Sequence, residues 1–153
     1  MVEKNFGLQI LEAVNNEDWA AVEVSLNNSE FAQLLGMSIS LDNPSLPRCE
    51  IREVSSYHLG GVGQGYINGA VISAMFDYLL GLTALPYVNE GYFATSNINV
   101  RFVKPVINDR FYAVATEKKR IGMSVFSEAT LYNGLDEACV HATGEIRVGI
   151  SGS

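Results

Sequence analysis

Basic residues are scarce in this chain. Lys and Arg total 10 against 17 Asp and Glu in 153 residues, a formal net charge of −7. Phosphate backbones are held by clustered Lys and Arg, so this balance argues against a nucleic-acid duplex as main partner. Cysteine is nearly absent: Cys49 and Cys139 stand far apart, without metal-ligand spacing. Free thiols in a reducing, cytoplasmic compartment are the expectation. The only histidines are His58 and His141, nothing local brings them together, and no metal is expected. Charge is missing from one long stretch. From Leu59 to Asn89 the single charged residue is Asp77. The stretch is long enough to span a bilayer. Its glycine-rich start, Gln64, Asn68 and mid-run carboxylate disfavour a membrane, and a buried helix is expected instead. No G-x-S-x-G occurs. GGVGQG has no following Lys and no surrounding β-α-β pattern, which excludes a phosphate-binding loop. The start, MVEKNFGLQILEAV, lacks the basic and apolar regions of a signal peptide.

What is present suits one globular domain. Hydrophobic residues are 48% and charged residues 18%, which excludes disorder. Residues 3–14 place Phe6, Ile10, Leu11 and Val14 at helical spacing, and residues 17–26 read as a second helix around Trp19, Val22 and Leu26. Ser29 reads as the N-cap of a short helix, EFAQLL, and Gly36 as its stop. MSISL and RCEIREVS alternate as strands, with DNPSLP as a turn between them. HLGGVGQGY is a loop, Asn68 caps a long apolar helix running to about Leu85, and Pro86 closes it. FATSNINVRFVKP, DRFYAVATEKKR, SVFSEATLYN and EACVHATGEIRVG then read as four long strands. Short turns at Pro105–Asp109, Ile121–Gly122 and Asn133–Asp136 predict antiparallel neighbours. The sum is an α+β arrangement, an antiparallel sheet around one long helix.

On that helix Val71, Met75, Tyr78 and Leu82 share a bulky face, flanked by Ile72 and Leu79, predicted to pack on the sheet. Asp77 lies on another face, with Ala70, Ser73, Ala74, Gly81 and Ala84. Small neighbours permit close approach of a backbone or a ligand. A carboxylate without a local opposite charge is expected to be partly desolvated there, which favours work as a base or nucleophile. At the helix start the N–H groups of Gly69 and Ala70 have no intrahelical acceptor and can polarise a carbonyl. Asn68 and Asp77 are nine residues apart, about 13.5 Å along the axis at 1.5 Å per residue. One carbonyl cannot reach both ends of that span, so joint action predicts a homodimer with roughly antiparallel helices.

At these residues the chain, from Phe31 to Val148, resembles the PaaI-type acyl-CoA thioesterases of the hotdog fold. That family typically has His-Gly-Gly at the start of its long helix and a carboxylate nine residues after the His. Here Asn68-Gly69-Ala70 is followed by Asp77 at that spacing. The family's Asn-Ile/Val-x-Phe/Tyr-x-x-Pro strand is matched by NVRFVKP, Asn99 to Pro105. Thr95 falls where many members hold a Ser or Thr that helps to hold the attacking water. The resemblance implies a hotdog domain over 31–150 behind a helical extension over 1–30, assembled as a homodimer or dimer of dimers. It implies acyl-CoA as substrate, so that CoA is no separate cofactor. The Gly69 N–H would hold the thioester carbonyl, Asp77 of the other subunit would activate water or attack directly, and Thr95 would orient water or Asp77.

Two departures stand out. Asn68 replaces the family His, and Val62 occupies the place of a frequent Asn. Gln64 or His58 could substitute, and either is a candidate substrate contact. Ser73, Arg101 and Lys104 are further candidates, the last two for CoA phosphates together with the run Glu117–Arg120. A non-catalytic dimer that binds acyl-CoA or another small ligand is the alternative function.

Overall fold

The computed structural model describes residues 2–60, 65–88 and 92–150. Three helices come first: α1 (Val2–Asn15), α2 (Trp19–Asn27) and α3 (Glu30–Leu35). Local chemistry sets their limits. Asp18 caps α2 by accepting the Ala21 N–H, and Ser29 caps α3 by accepting the Ala32 N–H at 3.2 Å. Gly36 ends α3 at φ 65°, a left-handed conformation that favours glycine. Short strands β1 (Ser38–Ser40) and β2 (Arg48–Ile51) follow. Next come a single 3₁₀ turn, Ser56–His58, and a small hairpin of β3 (Leu59–Gly60) and β4 (Tyr66–Ile67). The central helix α4 is Gly69–Leu82, and β5 (Tyr92–Phe102), β6 (Phe111–Ile121), β7 (Ser124–Tyr132) and β8 (Ala138–Ile150) complete the chain.

The six long-sheet strands run in the order β1-β2-β6-β7-β8-β5, every pair antiparallel. One sequence expectation needs correction. The turn at Pro105–Asp109 does not join neighbours, because β5 pairs with β8 at the far edge and not with β6. The connection instead crosses the end of the sheet. It is held there by the entry to α4: Ile67 N–H donates to Val106 O at 2.8 Å, and Asn108 N–H donates to Gly65 O at 2.9 Å.

The sheet curls round α4. Met75, Phe76, Leu79 and Leu80 are fully buried, with Val71, Ile72 and Leu82 nearly so. This face is broader than the predicted stripe. Phe76 and Leu80 join it because the sheet wraps more than half of the helix, and Tyr78 lies half-buried at its margin. Gly144 of β8 lets α4 settle closely, since a Cβ there would stand 2.9 Å from Leu80 Cδ1. The helix ends earlier than predicted. Thr83 caps it, donating its hydroxyl to Leu80 O, and Pro86 lies in a following 3₁₀ turn. The stretch Gly69–Tyr87 is long and apolar enough to cross a membrane, but the sheet accounts for that apolarity.

The N-terminal helices share this core through Val14, Val22 and Leu26. Helix α2 also covers the β1 edge of the sheet. Asn27 acts there like one residue of a neighbouring strand: its Nδ2 donates to Ile39 O at 2.9 Å, and Ile39 N–H donates to its Oδ1 at 2.7 Å. Beside it, Leu41 N–H donates to Glu23 Oε2 at 2.7 Å. Asn27→Ala leaves both groups of Ile39 without these partners. The expected loss is about 1–3 kcal/mol, read as a thermal midpoint lower by several degrees.

Candidate active site at the exposed face of the central helix

Helix α4 keeps one face free of the sheet. Ala70 and Asp77 are exposed on it, and Ser73 and Ala74 are half-buried. Strand β5 runs back along α4 in the opposite direction. Phe93 lies against Gly81, Thr95 against Asp77 and Phe102 against Gly69. Position by position, the register therefore delivers a hydroxyl to the carboxylate. Thr95 Oγ1 donates to Asp77 Oδ1 at 2.7 Å. The sequence singled out both residues, and the fold brings them together. The expected desolvation of Asp77 is not found within one chain, where the residue is exposed. The sheet wraps the opposite side of the helix, which leaves Asp77 open to a second molecule or a ligand.

The helix start is built from Asn68, whose φ of −64° and ψ of 130° are those of an extended cap residue. Its Oδ1 accepts the Ala70 N–H at 2.9 Å. This differs from the expectation that both Gly69 and Ala70 offer free donors. Among the described residues the Gly69 N–H keeps no acceptor, whereas the Ala70 N–H is taken by the cap. Gly60 fixes the cap residue from behind, since a Cβ there would stand 2.8 Å from Asn68 Cβ and Cγ. Asn68 thus serves the helix first and has no proton to give from the oxygen that does so.

His58 is not available as a substrate contact. It is fully buried, its Nδ1 accepts the Ser55 N–H at 2.9 Å, and its Nε2 lies 2.6 Å from Leu35 O. It ties the 3₁₀ turn to the end of α3. Gln64, and Val62 with it, lie outside the described residues. Ser73 shares the free face with Asp77. Arg101 is exposed, and because Val100 packs inward it falls on the sheet face turned away from α4. Lys104 is exposed, with Nζ 3.9 Å from Glu137 Oε2. In the run Glu117–Arg120, Glu117 accepts a hydrogen bond from the Tyr87 hydroxyl, Lys118 pairs with Glu128 at 3.0 Å, and Arg120 lies 4.4 Å from the Tyr87 ring centre. His141 lies 3.3 Å from the Thr130 hydroxyl, half-buried. Ser73 apart, one turn from Asp77 on the same helix face, none of these described side chains is brought to Asp77 of its own chain.

Two aromatic residues beside the site were not singled out as site residues by the sequence. Tyr78, next to Asp77, stacks on Phe31 of α3 with ring centres 5.5 Å apart and an interplanar angle of 18°. Burial raises the Tyr78 phenol above its ordinary value, and the Ser29 hydroxyl partly offsets this. No local pattern links Phe31 with Tyr78, which only the fold brings together. A separate cleft of about 340 Å³ opens beyond the end of α4, between Thr83, Pro86, Tyr87 and residues 116–118 of β6, and does not include Asp77 or Gly69.

This architecture is shared with known proteins. A Shewanella oneidensis protein related to the thioesterase superfamily is 17% identical, with 92% of this chain and 97% of that chain covered at a TM-score of 0.74. The Escherichia coli PaaI protein from the phenylacetic acid degradation operon is 15% identical, covering 92% and 98% at a TM-score of 0.72. A Streptococcus mutans protein bound to acetyl-CoA is 14% identical, covering 76% and 91% at a TM-score of 0.64. No curated protein matches the chain in sequence. The sequence pattern of the thioesterase superfamily matches residues 64–140, half of the chain, from the entry of α4 into β8. The chain with this sheet-wrapped helix belongs to the thioesterase superfamily and has its hotdog fold.

Proposed function

We propose that the protein hydrolyses an acyl-CoA or related acyl thioester at sites shared between two copies of the chain. The observation that carries this reading is the Thr95 hydroxyl donating to Asp77 Oδ1 at 2.7 Å, on the one helix face the sheet leaves open. The bond holds Oδ1 and leaves Oδ2 to react. The thioester carbonyl accepts a hydrogen bond from the Gly69 N–H of one copy, which favours the negative charge that develops on its oxygen. Asp77 of the second copy takes a proton from water as it adds to the carbonyl carbon, or adds directly to give an anhydride that water then opens. The carbon–sulfur bond breaks, CoA leaves as thiolate, and the acyl group leaves as a carboxylate. The reaction as written needs no metal or redox cofactor.

Distance and the unpaired edge support the dimer. Asp77 lies about 12 Å along α4 from Gly69 at 1.5 Å per residue, so one chain cannot supply both groups to one carbonyl. Strand β5, eleven residues long, is the free edge of the sheet. Pairing of two β5 strands across a two-fold axis sets two α4 helices antiparallel and brings each Asp77 towards the other helix start.

A second reading is favoured by the cap. Asn68 spends its oxygen on Ala70, so the helix start offers a ligand no imidazole proton. That suits a dimer that holds acyl-CoA without cleaving it. Free-thiol detection over acetyl-, butyryl-, octanoyl- and phenylacetyl-CoA separates the two. Thiol release well above the uncatalysed rate is expected. Tight binding without release would establish the second reading instead.

A further inference from the structure

The face around Asp77 has two unequal flanks. On one side Thr95 of β5 is bonded to the carboxylate. On the other side the helix turns through half-buried Ala74 to Tyr78, and there Tyr78 stacks on Phe31. A group attacked at Asp77 that leaves on the side away from Thr95 would extend over Ala74 towards this ring pair. The pair does not yield readily. Tyr78 is packed against the core, and Phe31 stands in a helix fixed at both ends, by Ser29 and by Gly36. Phe31 is nevertheless 41% exposed, an aromatic surface left partly uncovered on the ring of Tyr78, the neighbour of Asp77 in the helix.

We propose that Phe31 and Tyr78 form the wall that limits the size of the acyl group, so that the site takes compact acyl thioesters and excludes long chains. This rests on the acyl-thioester reading above. It gives α3 a part in selecting the substrate, although α3 precedes the matched family region. An acyl chain that outgrows the space over Ala74 must displace a stacked pair whose members support each other, and each added methylene meets that wall.

The test compares parent and Phe31→Ala proteins on acetyl-, butyryl- and octanoyl-CoA. The expected result is an octanoyl-to-acetyl ratio of kcat/KM raised about tenfold or more in Phe31→Ala. Phe31→Tyr, which keeps the stacked ring, is expected to keep the parent ratio. An unchanged ratio in a folded, active Phe31→Ala protein overturns the proposal. So does a weakened dimer with unchanged ratio, which would make Phe31 an interface residue. If the parent releases no thiol, the hydrolytic reading fails separately. The same ratio is then taken from the dissociation constants of the three acyl-CoA molecules, where an unchanged ratio again overturns the wall.

Discussion

Asp77→Asn is expected to slow acyl-CoA hydrolysis by about 10³–10⁴-fold, the loss of a base or nucleophile from its site. The fold should not notice. Asp77 is exposed, and an Asn oxygen can still accept the Thr95 hydroxyl. The change in stability is therefore expected to stay within about 0.5 kcal/mol. Thiol release and a thermal melt on the same sample give both readings. Turnover equal to the parent would remove Asp77 from the mechanism. A large fall in melting temperature would show that its role is structural.

Gly69→Pro tests the opposite end of the helix by removing one donor. Proline at the first helical position removes only an N–H that has no intrahelical acceptor, and its fixed φ suits that place. Asn68 before it already has the extended conformation that a proline requires of its predecessor. The nearest obstacle is the tip of the Phe102 ring, 3.2 Å from where a Cβ would stand, and Phe102 is 52% exposed and can turn aside. Activity is expected to fall about 10²–10³-fold, the effect of losing one oxyanion donor. Mixing then asks where the sites are. If each joins Gly69 of one copy to Asp77 of another, Gly69→Pro and Asp77→Asn chains unfolded and refolded together form heterodimers with one intact site. Random pairing restores about a quarter of parent activity. A mixture no more active than its parts would place both groups in the same chain's site and refute the shared arrangement.

Which features were legible in the sequence follows from how local their causes are. The cap at Ser29 and the stop at Gly36 depend on a few residues, and both lie where expected. Strand alternation in β5 through β8 reports a half-buried sheet wherever it occurs. The place of β5 beside β8 was not legible, because pairing depends on residues from distant parts of the chain and on a crossing held by Gly65 and Ile67. RCEIREVS reads as a longer strand than β2, which pairs only over Arg48–Ile51. At the site, the charge-free stretch singled out Asp77 and the family resemblance added Thr95, and the antiparallel run of β5 along α4 puts the two in contact. His58 reads either as a structural loop residue or as a ligand contact, because a loop histidine shows nothing of its surroundings; its partner Leu35 lies in another element and settles the structural place. The exposure of Asp77 depends on what covers the helix, and a pattern of small residues does not say whether that is the same chain or another.

The two edges of the sheet are unlike in what they can do next. At β1 the amide of Asn27 and the carboxylate of Glu23 already occupy backbone groups that an incoming strand would use. At β5, among the described residues, no such substitute stands, and the strand ends the sheet. In the vocabulary of polymer chemistry the sheet is monovalent. A monovalent unit joined through its one reactive edge terminates at two, whereas a sheet open at both edges would propagate as a fibre. Helix α2 is in this sense the chain terminator, and its capping amide lets a long bare strand be carried without unlimited growth.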